Sequence, residues 1–563
     1  MTFDDIIDSI TAGQFWAGVV FIAGLILIAR RYRMGGTTRG SAHWMKLWQA
    51  AWARVGAAAA GIGLFLWVDL QGNPGFLLGD WRGIPVWRFH IPCLLGVYYR
   101  GASNILTVGS PRSMKGAGVI IPNALRHKFL AVVDPGGEIS AVCVKEWRRQ
   151  GLNIHLLNPM GVHTGLPHNL ASGSLNVCDD LDPNSDSFAS TALLYASQMV
   201  GSAPRGEDGN YFHQKSFGAY QALFMHVKIK EAPERQNLVR IRQYLRGSML
   251  EWAQLVTDMT DSKDAIVKAQ GHEWQRMMIN EPKAFGGIIS TMEIATKWLD
   301  DVAIQNSVRH SNIRLKDLKG YDEQGRKIKG AVFAVILPLE FKTSHAAFVR
   351  LAITSVLRTM MDTEKRARSR VLLQVDEFNS LGKFDALVQA LSEMGKYKLR
   401  IHLVTQSIAQ AKDTYGEAGW KVIEGSCDVR QYLSAWGLDT AEHVSKMCGD
   451  TSIVEKTANG EQLISRHLIT PDEVMRMSMM EQIVFINNLS PVKLRIRPYW
   501  ERPGLRGKFY DNPFYYPERT PGLPLSFPLQ ALLGFGLRVL SGLIGPGAVV
   551  AAIAAAVAFG GFL

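Results

Sequence analysis

Only five cysteines occur in 563 residues, at Cys93, Cys143, Cys178, Cys427 and Cys448, with no Cys-x-x-Cys spacing. Such scatter excludes a disulfide framework and a zinc ribbon, and a reducing compartment is its simplest setting. The histidines are equally dispersed; His163 and His168 share a Gly/Pro loop, which reads as surface and not as a metal site. No internal repeat is present, so solenoids and propellers are excluded. Acidic residues are in deficit, with 50 Asp and Glu against 62 Lys and Arg, a formal charge of +12. A basic surplus points to nucleic acid or anionic lipid headgroups. Part of it is local: Arg30, Arg31, Arg33, Arg39, Lys46 and Arg54 lie between residues 30 and 54 with no acid among them.

Long uncharged apolar runs are few. Gly13 to Ala29 is one, near the short limit for a spanning helix. Asp4, Asp5 and Asp8 precede it and Arg30-Arg31-Tyr32-Arg33 follows it, the reverse of a signal peptide. This pattern predicts a membrane anchor over 1–35, with its basic flank in the cytoplasm and the N-terminus outside. Residues 55–68 are shorter, Gly/Ala-rich and flanked by Arg54. They read as a packed or peripheral helix, because a second crossing would carry the rest of the chain out of the cytoplasm. Val539 to Leu563 is uncharged but broken by Gly545-Pro546-Gly547, so it spans with a kink or lies against a partner.

What is present begins at residues 105–118. The run Ile105-Leu106-Thr107-Val108 stops at Gly109, a turn-rich loop (Ser110, Pro111, Arg112, Ser113, Met114) leads to Lys115, and Gly116, Ala117 and Gly118 open an apolar segment. This is the layout of a phosphate-cradling strand–loop–helix, in which backbone N–H groups face the phosphates and the lysine brings a mobile charge. The usual pattern has Gly before the lysine and a hydroxyl residue after it; here those places hold Met114 and Gly116, so the hydroxyl that ligates Mg²⁺ is missing. Further on, Val371-Leu372-Leu373-Gln374-Val375 ends in Asp376-Glu377, as a buried parallel strand does at a ligand crevice. Asp376 is placed to hold the water shell of Mg²⁺, and Glu377 to orient and deprotonate an attacking water. A third apolar run, Arg400 to Thr405, ends at Gln406, an amide able to sense the γ-phosphate or position water. Three run ends bearing Lys, Asp-Glu and Gln predict an ATP site.

The βα rhythm through Phe129–Val133, Ile139–Gln150 and Asn153–Leu157 predicts an α/β fold with a parallel sheet covered by helices. From about Pro183 long helical periodicities take over, and strand-like runs return at 331–337, 371–375, 400–405, 430–436 and 482–487. The expected organisation is an anchor (1–35), a nucleotide-binding domain in two parts (36–182 and 321–500), an inserted all-α domain (183–320), and a Pro-rich linker with an apolar tail (501–563).

In this order the pieces resemble the TraG/TraD-type coupling proteins of type IV secretion and conjugation. Gly40-Ser41-Ala42-His43-Trp44 is similar to the short signature after the membrane anchor. Gly109–Gly118 with Val119-Ile120-Ile121-Pro122 is similar to that branch's phosphate loop, where Gly commonly follows the lysine, so that Met114 is the departure. Asp134-Pro135-Gly136-Gly137-Glu138 is similar to the family's Asp-Pro-Lys-Gly-Glu with the lysine lost. Asp376-Glu377-Phe378, Leu381-Gly382, Thr405-Gln406-Ser407 and Asp439-Thr440-Ala441-Glu442 match later signatures. The resemblance implies a RecA-like P-loop ATPase using ATP and Mg²⁺. It also implies a homo-hexameric ring at the inner membrane that drives single-stranded DNA with its relaxase, or proteins, into the channel components of a type IV secretion system. Such rings need an arginine from the neighbouring subunit; Arg400 is the candidate, with Lys396 in the same region. Alternative readings are a protein-only effector receptor, an FtsK/HerA-like DNA pump, and a non-hydrolysing structural subunit. The signature at 40–44 and the helical insertion favour secretion over a chromosomal pump. The intact Lys115, Asp376, Glu377 and Gln406 argue against a decayed site.

Overall fold

The computed structural model describes residues 55–57, 75–86, 89–200, 207–434, 437–457 and 460–515. The expected anchor at 1–35, most of the run 55–68 and the tail 539–563 lie outside the described residues. No helix among the described residues is long and apolar enough to cross a membrane. The chain divides into two units, Met1–Tyr510 and Asp511–Leu563; of the second, 511–515 form an irregular turn.

Among the described residues the first unit is organised on a twelve-stranded sheet. In chain order its strands are β1 (Val55–Ala57), β2 (Phe76–Val86), β3 (Phe89–Tyr99), β4 (Ile105–Gly109), β5 (Phe129–Pro135), β6 (Asn153–Leu157), β7 (Ala331–Leu337), β8 (Val371–Val375), β9 (Leu399–Thr405) and β10 (Val429–Leu433). A separate hairpin, β11 (Asp450–Thr457) and β12 (Gly460–His467), comes next, and β13 (Glu481–Ile486) and β14 (Val492–Arg495) complete the main sheet. The spatial order is β1-β3-β2-β14-β13-β10-β4-β9-β8-β5-β7-β6. From β10 to β6 all pairings are parallel. From β10 to β1 they are antiparallel.

The parallel strands are apolar on both faces because both faces are covered. Leu106, Val108, Ala131, Phe333, Leu373 and Val375 point into one core, and Ile105, Leu130, Val132, Val332, Leu372 and Val404 into the other. The second core holds the helix Glu138–Arg149 and the short helix Ile121–Arg126 that follows the Lys115 loop. The first core continues into helices between β6 and β7, running from Phe188–Met199 to Val302–Val308, where Trp252, Trp274 and Phe285 meet edge to face. Arg350, on the helix Ala346–Met361, donates to Gln198 O at 2.7 Å and to Leu381 O at 2.8 Å. One guanidinium thus joins the first inserted helix to the turn after the acidic strand.

A polar seam crosses the second face. Gln374 (β8), His402 (β9), Thr107 (β4), Gln431 (β10) and Gln482 (β13) are all buried. Gln374 Nε2 meets His402 Nδ1 at 3.2 Å, and His402 Nε2 meets Thr107 Oγ1 at 2.8 Å. Thr107 donates to Gln431 at 3.0 Å, Gln431 to Gln482 at 3.0 Å, and both glutamines to Leu78 O of β2. Burial pushes the pKa of His402 down to about 3, so the seam carries no charge near neutrality.

The hairpin β2–β3 is absent from the expectations. Its sequence is interrupted by Gly79, Gly83, Pro85, Pro92 and Gly96, residue types that weaken a strand pattern. The strands accommodate them with register shifts at Leu77/Gly79 and Arg82/Ile84. A Cβ at Gly79 would lie 2.6 Å from Gln482 Nε2, so close strand approach requires glycine there.

Candidate functional site

β4 ends at Gly109, between β10 and β9. A Cβ there would fall 2.6 Å from Ser113 Oγ, so only glycine lets the loop turn back this tightly. Ser113 N donates to Ser110 O at 3.1 Å. Arg112 and Met114 take left-handed backbone, with φ of 64° and 63°. After Lys115, Gly116–Ile120 form a wide π-type turn that runs into the helix at Ile121. Gly118 packs on Ile496, leaving no room for a side chain. Lys115 Nζ folds onto its own loop, donating to Gly109 O at 3.0 Å. Burial lowers its pKa, while Asp376 and Glu377 oppose that fall and Lys342 adds to it.

Met114 is therefore a departure with a geometric meaning. Left-handed backbone costs a residue with a Cβ roughly 1–2 kcal/mol, and Met114 offsets part of this by packing on the second core. Met114→Gly is expected to leave the melting temperature within a few degrees and to tighten nucleotide binding. Unchanged affinity in a binding titration would show that the loop holds its geometry with either residue.

Asp376 and Glu377 follow β8, and the fields of both reach Lys115. Burial raises the pKa of Asp376 to about 6; Lys115 restrains the rise, while Glu377 and Glu138 add to it. Glu377 is also left-handed (φ 54°) and opens the short turn Phe378–Leu381. Its Oε2 accepts from Gln406 Nε2 at 2.7 Å. Asn379 Nδ2 donates to Thr405 Oγ1 at 2.6 Å, a second bond fastening the end of β9 to the acidic turn. Lys115, Asp376, Glu377 and Gln406 thus converge at the C-terminal ends of three adjacent parallel strands, where ligands bind in open α/β sheets.

A folded-state pKa above the ordinary 3.8 means that Asp376 stabilises the fold most when protonated. Its contribution is full below pH 3.8 and is lost as pH rises through about 6. Denaturant unfolding of the nucleotide-free protein between pH 4 and 7 is expected to show stability falling up to about pH 6 and levelling above it, with a flatter slope in Asp376→Asn. Equal slopes would contradict it.

Asp134 ends β5 and accepts from Ile139 N at 3.1 Å and Ser140 N at 2.7 Å, capping the helix Glu138–Arg149. Burial raises its pKa to about 7. Gly136 has φ 83°, so the place of the lost lysine is one that favours glycine. The cap brings Glu138, the first residue of the helix, beside the Lys115 loop: a Cβ at Gly116 would meet Glu138 Oε1 at 3.7 Å. Glu138 and Lys342 were not singled out as site residues from the sequence. The Asp-Pro-Gly-Gly-Glu signature was a signal for the first; no pattern marks the second.

Arg400 does not join this group. It is the second residue of β9, paired with Leu372 at the opposite end of the strands from Asp376. It is buried, donates to Gly101 O and lies 5.4 Å from the Tyr99 ring centroid. Burial and the nearby Arg370 lower its pKa to about 10. Held so, the guanidinium is buried within this chain and is not presented at its surface. Lys396 lies in the turn before β9, also at that far end, with its Nζ 5.2 Å from the centroid of its neighbour Tyr397.

Residues 84–517 match the family described as type IV secretory system conjugative DNA transfer. The chain is 24% identical over 435 residues to the conjugal transfer protein TraG of Agrobacterium fabrum, covering 74% of this chain and 63% of that protein. It is 23% identical over 440 residues to the type IV secretion system-coupling protein VirD4 of Bartonella quintana, covering 74% and 65%. The chain therefore spans somewhat less than two thirds of the length of these relatives. The fold is similar to that of the plasmid coupling protein TrwB solved with ADP and Mg²⁺, with a TM-score of 0.57 at 13% identity over 83% of this chain and 96% of that one. A structure of TrwB with a non-hydrolysable GTP analogue gives a TM-score of 0.54 at 15% identity, over 74% and 89%.

Proposed function

Because this chain belongs to the type IV secretory system conjugative DNA transfer family, we propose that it is a RecA-like ATPase that couples substrate to a type IV secretion channel. The observation that carries the proposal is the convergence of Lys115, Asp376, Glu377 and Gln406 at the C-terminal ends of three adjacent parallel strands. In this reading the N–H groups of 109–118 and the Lys115 ammonium hold the β- and γ-phosphates of ATP. Mg²⁺ suits the donor: the Asp376 carboxylate after β8 is a hard oxygen ligand, and a cation arriving with the nucleotide would take it as its protein partner. When bound, it neutralises charge developing on the phosphates. Glu377 accepts a proton from the attacking water, and Gln406 fixes the carboxylate in place.

The proposed assembly is a homo-hexamer at the inner membrane, anchored through 1–35, with the nucleotide-binding parts 36–182 and 321–500 in the cytoplasm. The helical domain 183–320 would receive cargo, and 501–563 would form a linker and apolar tail. The proposed cargo is single-stranded DNA with its bound relaxase, which fits the basic surplus. The test is ATP hydrolysis by the full chain with and without single-stranded DNA at two salt concentrations. Stimulation that fades as salt rises is expected. Hydrolysis indifferent to DNA would favour a protein-only receptor, and absence of hydrolysis a structural subunit.

A further inference from the structure

The residue after Lys115 is Gly116, so the phosphate loop offers no side-chain oxygen where the metal-ligating hydroxyl of such loops stands. The space beside it is open. A Cβ at Gly116 has ordinary contact distance to Glu138 Oε1, 3.7 Å, and the backbone there is not left-handed. Glu138 is carried on a different element, the first turn of the helix Glu138–Arg149, aimed by the Asp134 cap and the left-handed Gly136-Gly137 turn. Its charge is felt by Asp376, the acid that follows β8. A helix-borne carboxylate therefore stands beside the point that the missing hydroxyl vacates, electrostatically coupled to the carboxylate that follows β8.

Resting on the nucleotide-site reading above, we propose that Glu138 is the protein ligand that replaces the loop hydroxyl on the nucleotide's Mg²⁺. A carboxylate is a hard oxygen donor suited to that ion. The exchange has a consequence that a hydroxyl would not produce. Glu138 is anionic, so without a divalent cation it repels the nucleotide phosphates, and with one it attracts them through the ion. Nucleotide affinity in this chain then depends more steeply on Mg²⁺ than it would with a neutral ligand.

The experiment titrates Mg²⁺ against the full chain with a fluorescent, non-hydrolysable ATP analogue and reads analogue affinity, not turnover. Glu138→Gln is expected to raise the Mg²⁺ concentration for half-maximal affinity by about tenfold and to bind the analogue better than the parent when Mg²⁺ is chelated. Gly116→Ser on the Glu138→Gln background is expected to restore most of the Mg²⁺ response, since the position has room for the side chain. Thermal melts confirm that each variant is folded. Glu138→Gln with the parent's Mg²⁺ dependence overturns the proposal, as does a loss that Gly116→Ser does not repair. A parent chain that binds no analogue at any Mg²⁺ concentration overturns the nucleotide site itself.

Discussion

Lys115→Ala is expected to weaken ATP binding by about a hundredfold, from loss of a desolvated charge contact worth about 3 kcal/mol, and to abolish measurable hydrolysis. The size follows from the site's electrostatics. Lys115 is the cation that both Asp376 and Glu377 act on, and it already carries the desolvation that lowers its pKa. Folding should not suffer in proportion, because the nucleotide-free protein loses a partly buried charge whose hydrogen bonds go to its own loop carbonyls. A second readout separates this mechanism from general damage. Asp376 loses a cation that holds its pKa down, so its titration should move further above 6. Unchanged ATP affinity in a folded variant would count against the loop as a phosphate site.

Glu377→Gln is expected to retain ATP binding and to lower kcat by roughly 10²–10⁴, the range for a lost general base. The substitution is nearly isosteric. The new amide keeps a carbonyl oxygen able to accept from Gln406 Nε2, so the strand-end bond at 2.7 Å can persist while the proton acceptor is lost. Single-turnover hydrolysis beside a binding titration distinguishes the two steps. A wild-type rate would refute the water-activating role.

The parts of the site that follow chain order were legible in the sequence. Gly109, Asp376-Glu377 and Gln406 each end or follow an apolar run and Lys115 stands just before one, and such runs are read directly from hydropathy. The parts set by packing were not. Arg400 lies in sequence near Gln406, but β9 is extended, so the two residues stand at opposite ends of one strand. Glu138 enters the site only because Asp134 caps its helix against the loop. The hairpin β2–β3 was hidden by glycines and prolines that bulges absorb. The parallel half of the sheet was announced by its β-branched runs, whereas β14 is only four residues long and alternates in burial, too short a pattern to stand out.

The buried amides and imidazole that run from Gln374 to Gln482 act as a built-in proofreader of strand assembly. A slip of any one strand by a single residue would turn its polar member toward the opposite, apolar core and strand its neighbours' donors and acceptors in a dry interior. Each orphaned group costs about 1–3 kcal/mol, and a mispaired strand orphans more than one. Mispaired alternatives are thereby disfavoured beneath the one place where Lys115, Asp376 and Gln406 must arrive at a common height.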